Sequence, residues 1–398
     1  MTRPADRDAT DSGPGSDGIG ARFARSLAGV GTLPTSVRAL LDYYATSGDL
    51  ALGAIGLQRR VETFVEGVVD GAFADVERAI AGAADVDPNG VSFAYDTKLT
   101  MPAELTLGHL YQRADVSADN TGSDGSGPQP TDIDRAETVT ELVVVALLDG
   151  DMRDAINDAE YEDFRIEGAP GIERARAAEL AQRALRERVD VLFDGHPDGV
   201  REAYCEAVDR SETHQDRDPY FRELMAAAED GDPDATAAIR EEYKHGALKE
   251  PTDCDAVIRP TELFVNDEHS FPYLATQYGR VGVIYDGMIE MYRAAGIPIE
   301  DPFKRSIVFT IIGAQIWLDD IDDYEADLAE TQLTPVTAEY LLADSDREAY
   351  RAVVAATETY LDAAERYAAA TDSPLAGIGT NYVFRSGDPS VLPGNESD

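Results

Sequence analysis

Four aspartates fall within five residues, Asp319, Asp320, Asp322 and Asp323, at the end of the apolar run Ile311-Ile312-Gly313-Ala314-Gln315-Ile316-Trp317-Leu318. Carboxylates spaced in this way can hold a divalent cation, and a cation held there can neutralise phosphate oxygens. On a helix turning about 100° per residue, Asp319, Asp320 and Asp323 share one face, with Asp327 a turn further on. Phe309, Ile312 and Ile316 stand above them on that face. The pattern reads as the wall of an apolar channel with carboxylates at its mouth. The acids also lie toward the helix C-terminus, where the macrodipole disfavours negative charge by a few tenths to ~1 kcal/mol. A compensating cation is therefore expected.

A second stretch repeats the design. Between Thr131 and Glu160 the residues Ala136, Val139, Leu142, Val143, Val144, Leu147 and Leu148 keep helical spacing, and Asp151, Asp154 and Asp158 follow on the same side. Asp149 points the other way. Facing carboxylates repel one another in a buried site unless cations lie between them, and ions held in this way can clamp a diphosphate. The alternative is that both patches are solvated faces of an acidic protein. With 77 acidic residues among 398, acid density alone carries little, so the signal lies in the apolar helices that bear the clusters.

The net charge of −43 argues against nucleic acid or an anionic membrane as partner. Acids spread through every segment match the solvation of proteins from a high-salt cytoplasm. At 43% hydrophobic the chain can still bury a sizeable core. Cys205 and Cys254 are the two cysteines, without ligand spacing to the five histidines, so neither a disulfide framework nor a zinc site is expected. No run approaches ~18 apolar residues, and the reading is a cytoplasmic protein without stable membrane insertion. No P-loop or GxGxxG is present.

Helical periodicity dominates the rest. Residues 1–20 read as a disordered acidic tail, 21–385 as one all-α domain interrupted by a flexible loop at 115–131, and 386–398 as a C-terminal tail. Helices are expected from about 36 to 84, from 102, over 131–160, 172–193, 198–209, 219–246 with a break near Gly231-Asp232-Pro233, 273–295, 302–327 and 346–370. Strand signals are nearly absent. Asn266-Asp267-Glu268-His269-Ser270 echoes a terpene-cyclase motif but reads as a helix boundary before Pro272. Arg280, Lys304 and Arg305 read as surface salt-bridge formers, with contact to an anion as the alternative.

The acidic stretches resemble those of the class I isoprenoid synthases, in particular the trans-polyprenyl (geranylgeranyl or farnesyl) diphosphate synthases. In that family a DDxxD motif follows a Gly and a Gln on an apolar helix, and a D-x-x-E/G-K-x-T-x-P type segment comes soon after. Here Gly313, Gln315 and Asp319-Asp320-Ile321-Asp322-Asp323 match the first part, with one extra residue between Gln and Asp. The stretch from Asp327 to Val336 is similar to the second, with Gln332 where a lysine is usual. Glu141 through Asp154 is similar to the family's first Asp-rich motif, with Gly150 in place of the leading Asp. Arg165-Ile166-Glu167-Gly168-Ala169-Pro170, Tyr243-Lys244-His245-Gly246-Ala247-Leu248 and Thr97-Lys98-Leu99-Thr100-Met101-Pro102 resemble the family's basic diphosphate-binding segments, each with fewer basic residues than usual.

The resemblance implies a single large helical bundle around a central apolar cavity. It implies Mg²⁺ held by Asp151, Asp154 and Asp158 on one wall and by Asp319, Asp320 and Asp323 on the other. Lys98, Arg165, Lys244 and Gln315 would contact the diphosphate. The implied reaction is ionisation of an allylic prenyl diphosphate, carried by Asp319, Asp320, Asp323, Asp151 and Asp154, followed by prenyl transfer. A partner chain, a second copy or another prenyl synthase, comes with the family. Three alternatives stand beside it: a catalytically weak homologue acting as partner subunit or prenyl-lipid binder, a terpene cyclase-type lyase, and a helical structural protein with no small-molecule site.

Overall fold

The computed structural model describes residues 52–95, 100–119, 130–157, 161, 164–249 and 256–395. The expected N-terminal tail, Lys98, Asp158 and Cys254 lie outside the described residues, as do 120–129 of the expected loop. Among the described residues the regular structure is helical apart from one two-stranded antiparallel ribbon, β1 (Ser92–Ala94) and β2 (Arg165–Glu167).

The first layer is α1 (Leu52–Ala84), α2 (Met101–Asp119), α3 (Pro130–Asn157) and α4 (Arg174–Phe193). In α1 the buried residues Val61, Val65, Val68, Ala72, Val76 and Ile80 recur every three or four positions, which places one stripe inward. Ala177, Ala181, Leu185 and Val189 do the same in α4, which packs on α3 and α1.

The second layer comprises α5 (Asp198–Gln215), α6 (Asp218–Glu229), α7 (Pro233–Ala238), α8 (Pro260–Leu263), α9 (Leu274–Gln277), α10 (Val283–Ala294), α11 (Asp301–Ala314), α12 (Tyr324–Ala329), α13 (Pro335–Leu342), α14 (Asp346–Ala370) and α15 (Pro374–Ser386). Among the described residues the packing of α11 on α14 is the most extensive between two helices. Gly313 permits it, because a Cβ there would stand 2.6 Å from Leu361 Cδ2. The α10 helix lies against α5 and touches both α3 and α11. It therefore bridges the two helices that carry the acidic clusters.

Three π-turns interrupt these helices: Ile239–Lys244 after α7, Tyr278–Gly282 before α10, and Gln315–Asp320 after α11. Hydrogen bonds from i to i+5 widen the turn, so the direction of each later side chain lags the α-helical projection.

Several elements differ from the sequence reading. Residues 115–119 are helical instead of loop. A helix, α15, occupies 374–386, and the segment after it is packed: Leu392 is buried and the Tyr340 hydroxyl donates to the Pro393 carbonyl at 2.6 Å. Lys304, expected at the surface, is 4% exposed and held between Asp286 and Glu290 of α10. Burial of a lysine requires such partners, and the two acids lie four residues apart on one helical face.

Candidate functional site

The expected row of three inward acids is split. Asp320 is 2% exposed, whereas Asp319 and Asp323 are exposed. The cause is the π-turn Gln315–Asp320, which delays the rotation and leaves Ile316, Asp320 and Tyr324 as the inward series. Gln315 Nε2 donates to Asp319 Oδ2, and to Asp320 Oδ1 at 3.3 Å. The glutamine thus pins both carboxylates at the turn.

The cation facing this end of α11 is Arg280, from the π-turn Tyr278–Gly282. Its guanidinium lies 3.5 Å from Asp320 Oδ1, and the side chain as a whole is 30% exposed. Asp319 and Asp218 also lie in its field. Asp320 Oδ2 has no hydrogen-bond partner. Burial pushes the Asp320 carboxyl up to about 7, against the pull of Arg280 and with repulsion from Asp319 adding to the rise. Burial likewise raises Asp327 to about 6, opposed by Arg280 and augmented by Asp323. One guanidinium is serving Asp319, Asp320 and Asp327 together, and it does not neutralise them.

Past the acids, Thr334 caps α13 in a reciprocal capping box with Thr337, with Pro335 in the first turn. Gln332, at the position where a lysine was expected, accepts from Arg222 of α6 at 3.1 Å. Lys244 is close by in the chain's architecture, since its neighbour Tyr243 lies in the fields of Asp320 and Asp327. Its ammonium, however, is 2.7 Å from the buried Glu339 of α13, which also accepts from the Tyr273 hydroxyl at 2.9 Å.

The first acidic cluster is built differently. Asp151 is half-buried and within the field of Tyr285 on α10, and Asp154 is exposed. The deeply buried acid of α3 is Asp149, on the side set apart by the projection. It is bound by Arg153 at 3.3 Å and by Gln182 of α4 at 3.3 Å, with Arg186 of α4 at 3.8 Å. Asp149 fastens α3 to α4. Arg165 stands exposed on β2, whose partner strand β1 packs on α1, away from the elements that carry Asp320. Glu141 is paired to Arg188 at 2.8 Å, at the wall of an open groove of about 800 Å³ between α1 and α4. The groove's other charges include the Arg78–Asp75 pair and Arg188–Asp75 at 2.8 Å.

The apolar positions above the acids are closely packed. Phe309, Ile312 and Ile316 are fully buried, and the Phe309 ring lies 5.1 Å from Phe264, 5.7 Å from Phe271 and 6.0 Å from Tyr360. Trp317 turns away from the acidic face, stacks on Phe384 at 5.8 Å and donates Nε1 to the Phe384 carbonyl at 2.9 Å.

Among the described residues no three His, Cys, Asp or Glu side chains converge as a cage for a metal ion. Magnesium rarely uses such a cage; it keeps several waters and binds through one or two carboxylates together with substrate phosphates. The orphaned Oδ2 of Asp320, beside the exposed Asp319, fits that mode. No helix among the described residues is long and apolar enough to cross a membrane. No family model, no curated protein and no solved structure matches the chain.

Proposed function

We propose that this chain is an isoprenoid-synthase-like protein that binds a prenyl diphosphate at the Asp320 end of α11 and, with Mg²⁺, acts as a prenyltransferase. The observation that carries the reading is the buried Asp320 carboxylate, one oxygen unpartnered, at the end of an apolar helix in a site short of positive charge. The π-turn adds support, because it takes up the one residue by which the Gln-to-Asp spacing exceeds the family pattern.

In this reading Asp319 and Asp320 would hold the ion, with Gln315 fixing the orientation of both carboxylates. When bound, Mg²⁺ neutralises charge developing on the departing diphosphate. Arg280 and Arg222 would face the phosphate oxygens, and the buried apolar residues of α11 would keep water from the allylic carbon. No protein nucleophile is needed.

A second reading is favoured by Lys244 and Phe309: a catalytically weak relative serving as partner subunit or prenyl-lipid binder. Lys244 is committed to buried Glu339, and aromatic rings fill the space around Phe309. Calorimetric titration with Mg²⁺ and an inert allylic diphosphate analogue separates the two. The first reading expects metal-dependent analogue binding and turnover of the matching substrate. Binding without turnover selects the second, and an absence of metal-dependent binding sinks the proposal.

A further inference from the structure

We propose that Arg280 is a resident counter-cation that transfers its charge from Asp320 to the diphosphate when a divalent cation enters the site. The proposal rests on the prenyl diphosphate reading for its second half; the first half, competition between Arg280 and the metal, stands on the geometry alone.

The backbone that carries Arg280 is clamped on several sides. A Cβ on Gly279 would meet the His214 ring at 2.6 Å, and one on Gly282 would meet Tyr278, Val308 and Ile312 at 3.0 to 3.4 Å. The Tyr278 hydroxyl donates to buried Asp286 at 2.6 Å, and Ser211 Oγ donates to the Arg280 carbonyl at 3.5 Å. The side chain is held far less firmly. Its ion pair with Asp320 is 3.5 Å long, whereas charge-assisted contacts usually close to ~2.7–2.9 Å. Its 30% exposure leaves room to swing on a fixed stem.

On the other side of the pair, Asp320 Oδ2 is buried and unpartnered, which is an independent sign that the carboxylate lacks a ligand. A divalent cation drawn to that oxygen repels the guanidinium. Displaced, the guanidinium remains within side-chain reach and presents a planar fork suited to phosphate oxygens. The basic residues usual for diphosphate contact are depleted here: Gln332 replaces one and Lys244 is bound to Glu339. Arg280 supplies what those positions lack.

The test compares the full-length wild type with Arg280→Gln and Arg280→Lys at one fixed high KCl concentration. Mn²⁺ binding is followed by electron paramagnetic resonance, first alone, and binding of an inert allylic diphosphate analogue is then measured by calorimetry at saturating Mn²⁺. In Arg280→Gln the competitor is gone, so Mn²⁺ alone binds roughly tenfold tighter, while the analogue binds at least roughly tenfold more weakly. Arg280→Lys keeps the charge without the fork, so Mn²⁺ affinity stays near wild type and analogue affinity falls severalfold. A merely structural arginine would weaken both measurements together, and that outcome overturns the proposal. So does Mn²⁺ affinity unchanged in Arg280→Gln, or analogue affinity unchanged while the wild type binds it. A wild type that binds no analogue with Mn²⁺ removes the prenyl diphosphate reading and the transfer step, while tighter Mn²⁺ binding in Arg280→Gln would still establish the competition.

Discussion

Replacing Asp320 by Asn should stabilise the protein, by an amount that grows with pH. The carboxyl rises from 3.8 to about 7 because it is buried at 2% exposure with one oxygen unpartnered. At 1.36 kcal/mol per pH unit, that rise corresponds to ~4 kcal/mol of penalty for the ionised form. That rise is already net of the pull of Arg280, so replacing the ionised carboxylate should gain up to ~4 kcal/mol at the alkaline end. Below about pH 3 the group is protonated in both folded and unfolded chains, and above about pH 8 it is ionised in both. Between these limits the unfolded chain releases its proton first, so wild-type stability falls as pH rises while that of Asp320→Asn does not. Urea unfolding midpoints of both proteins from about pH 3 to 9, at constant KCl, measure the difference. It should be near zero at the acid end and level off above about pH 8. A variant less stable than wild type at the alkaline end would mean that the Arg280 pair is net favourable, and the account of a site short of positive charge would be wrong.

Three further outcomes are expected. Lys304→Met leaves Asp286 buried without its cation and Glu290 with Arg293 alone, and should cost ~3–5 kcal/mol in urea unfolding, part of which returns when Asp286→Asn is added. Phe309→Ala removes a ring packed against Phe264, Phe271 and Tyr360 and should cost ~3–5 kcal/mol; a loss below ~1 kcal/mol would mean that the rings around it are loosely packed. Because the chain carries a net charge of −43, its thermal midpoint should climb as KCl is raised from millimolar to molar levels; a flat response would remove self-repulsion as a factor.

The helices were legible where apolar residues recur at helical spacing, as in α1, α3, α4, α11 and α14. Other elements were hidden for identifiable reasons. Gly377 and Gly379 make α15 look like a loop, yet a Cβ on Gly379 would already stand 3.1 Å from Leu105, so smallness serves close packing there. A uniform ~100° projection placed Asp319, Asp320 and Asp323 together, and no local residue preference announces the π-turn that separates them. The projection turns Asp149 away from the other acids, and two of its partners, Gln182 and Arg186, lie on another helix. Nothing local to Arg280 marks its pairing, because Asp320 is forty residues away in sequence. Lys304 had a readable cue, the acids at 286 and 290 amid Tyr285, Met288 and Ile289. Position along one helix was visible; charge pairing between helices was not.

The π-turn after α11 also bears on how this protein tolerates change in length. An inserted or deleted residue ordinarily rotates everything beyond it by about 100° and breaks the match between a helix and its neighbours. Here the stretch 315–320 already stores one residue of slack, downstream of the contacts that α11 makes with α14 through Gly313. Removing a residue from this stretch would tighten the turn to α-helical form and re-aim Asp319, Asp320 and Asp323 as a set, leaving α11 seated. The turn works as a swivel between scaffold and carboxylates, so the acidic end can change its heading while the bundle keeps its packing.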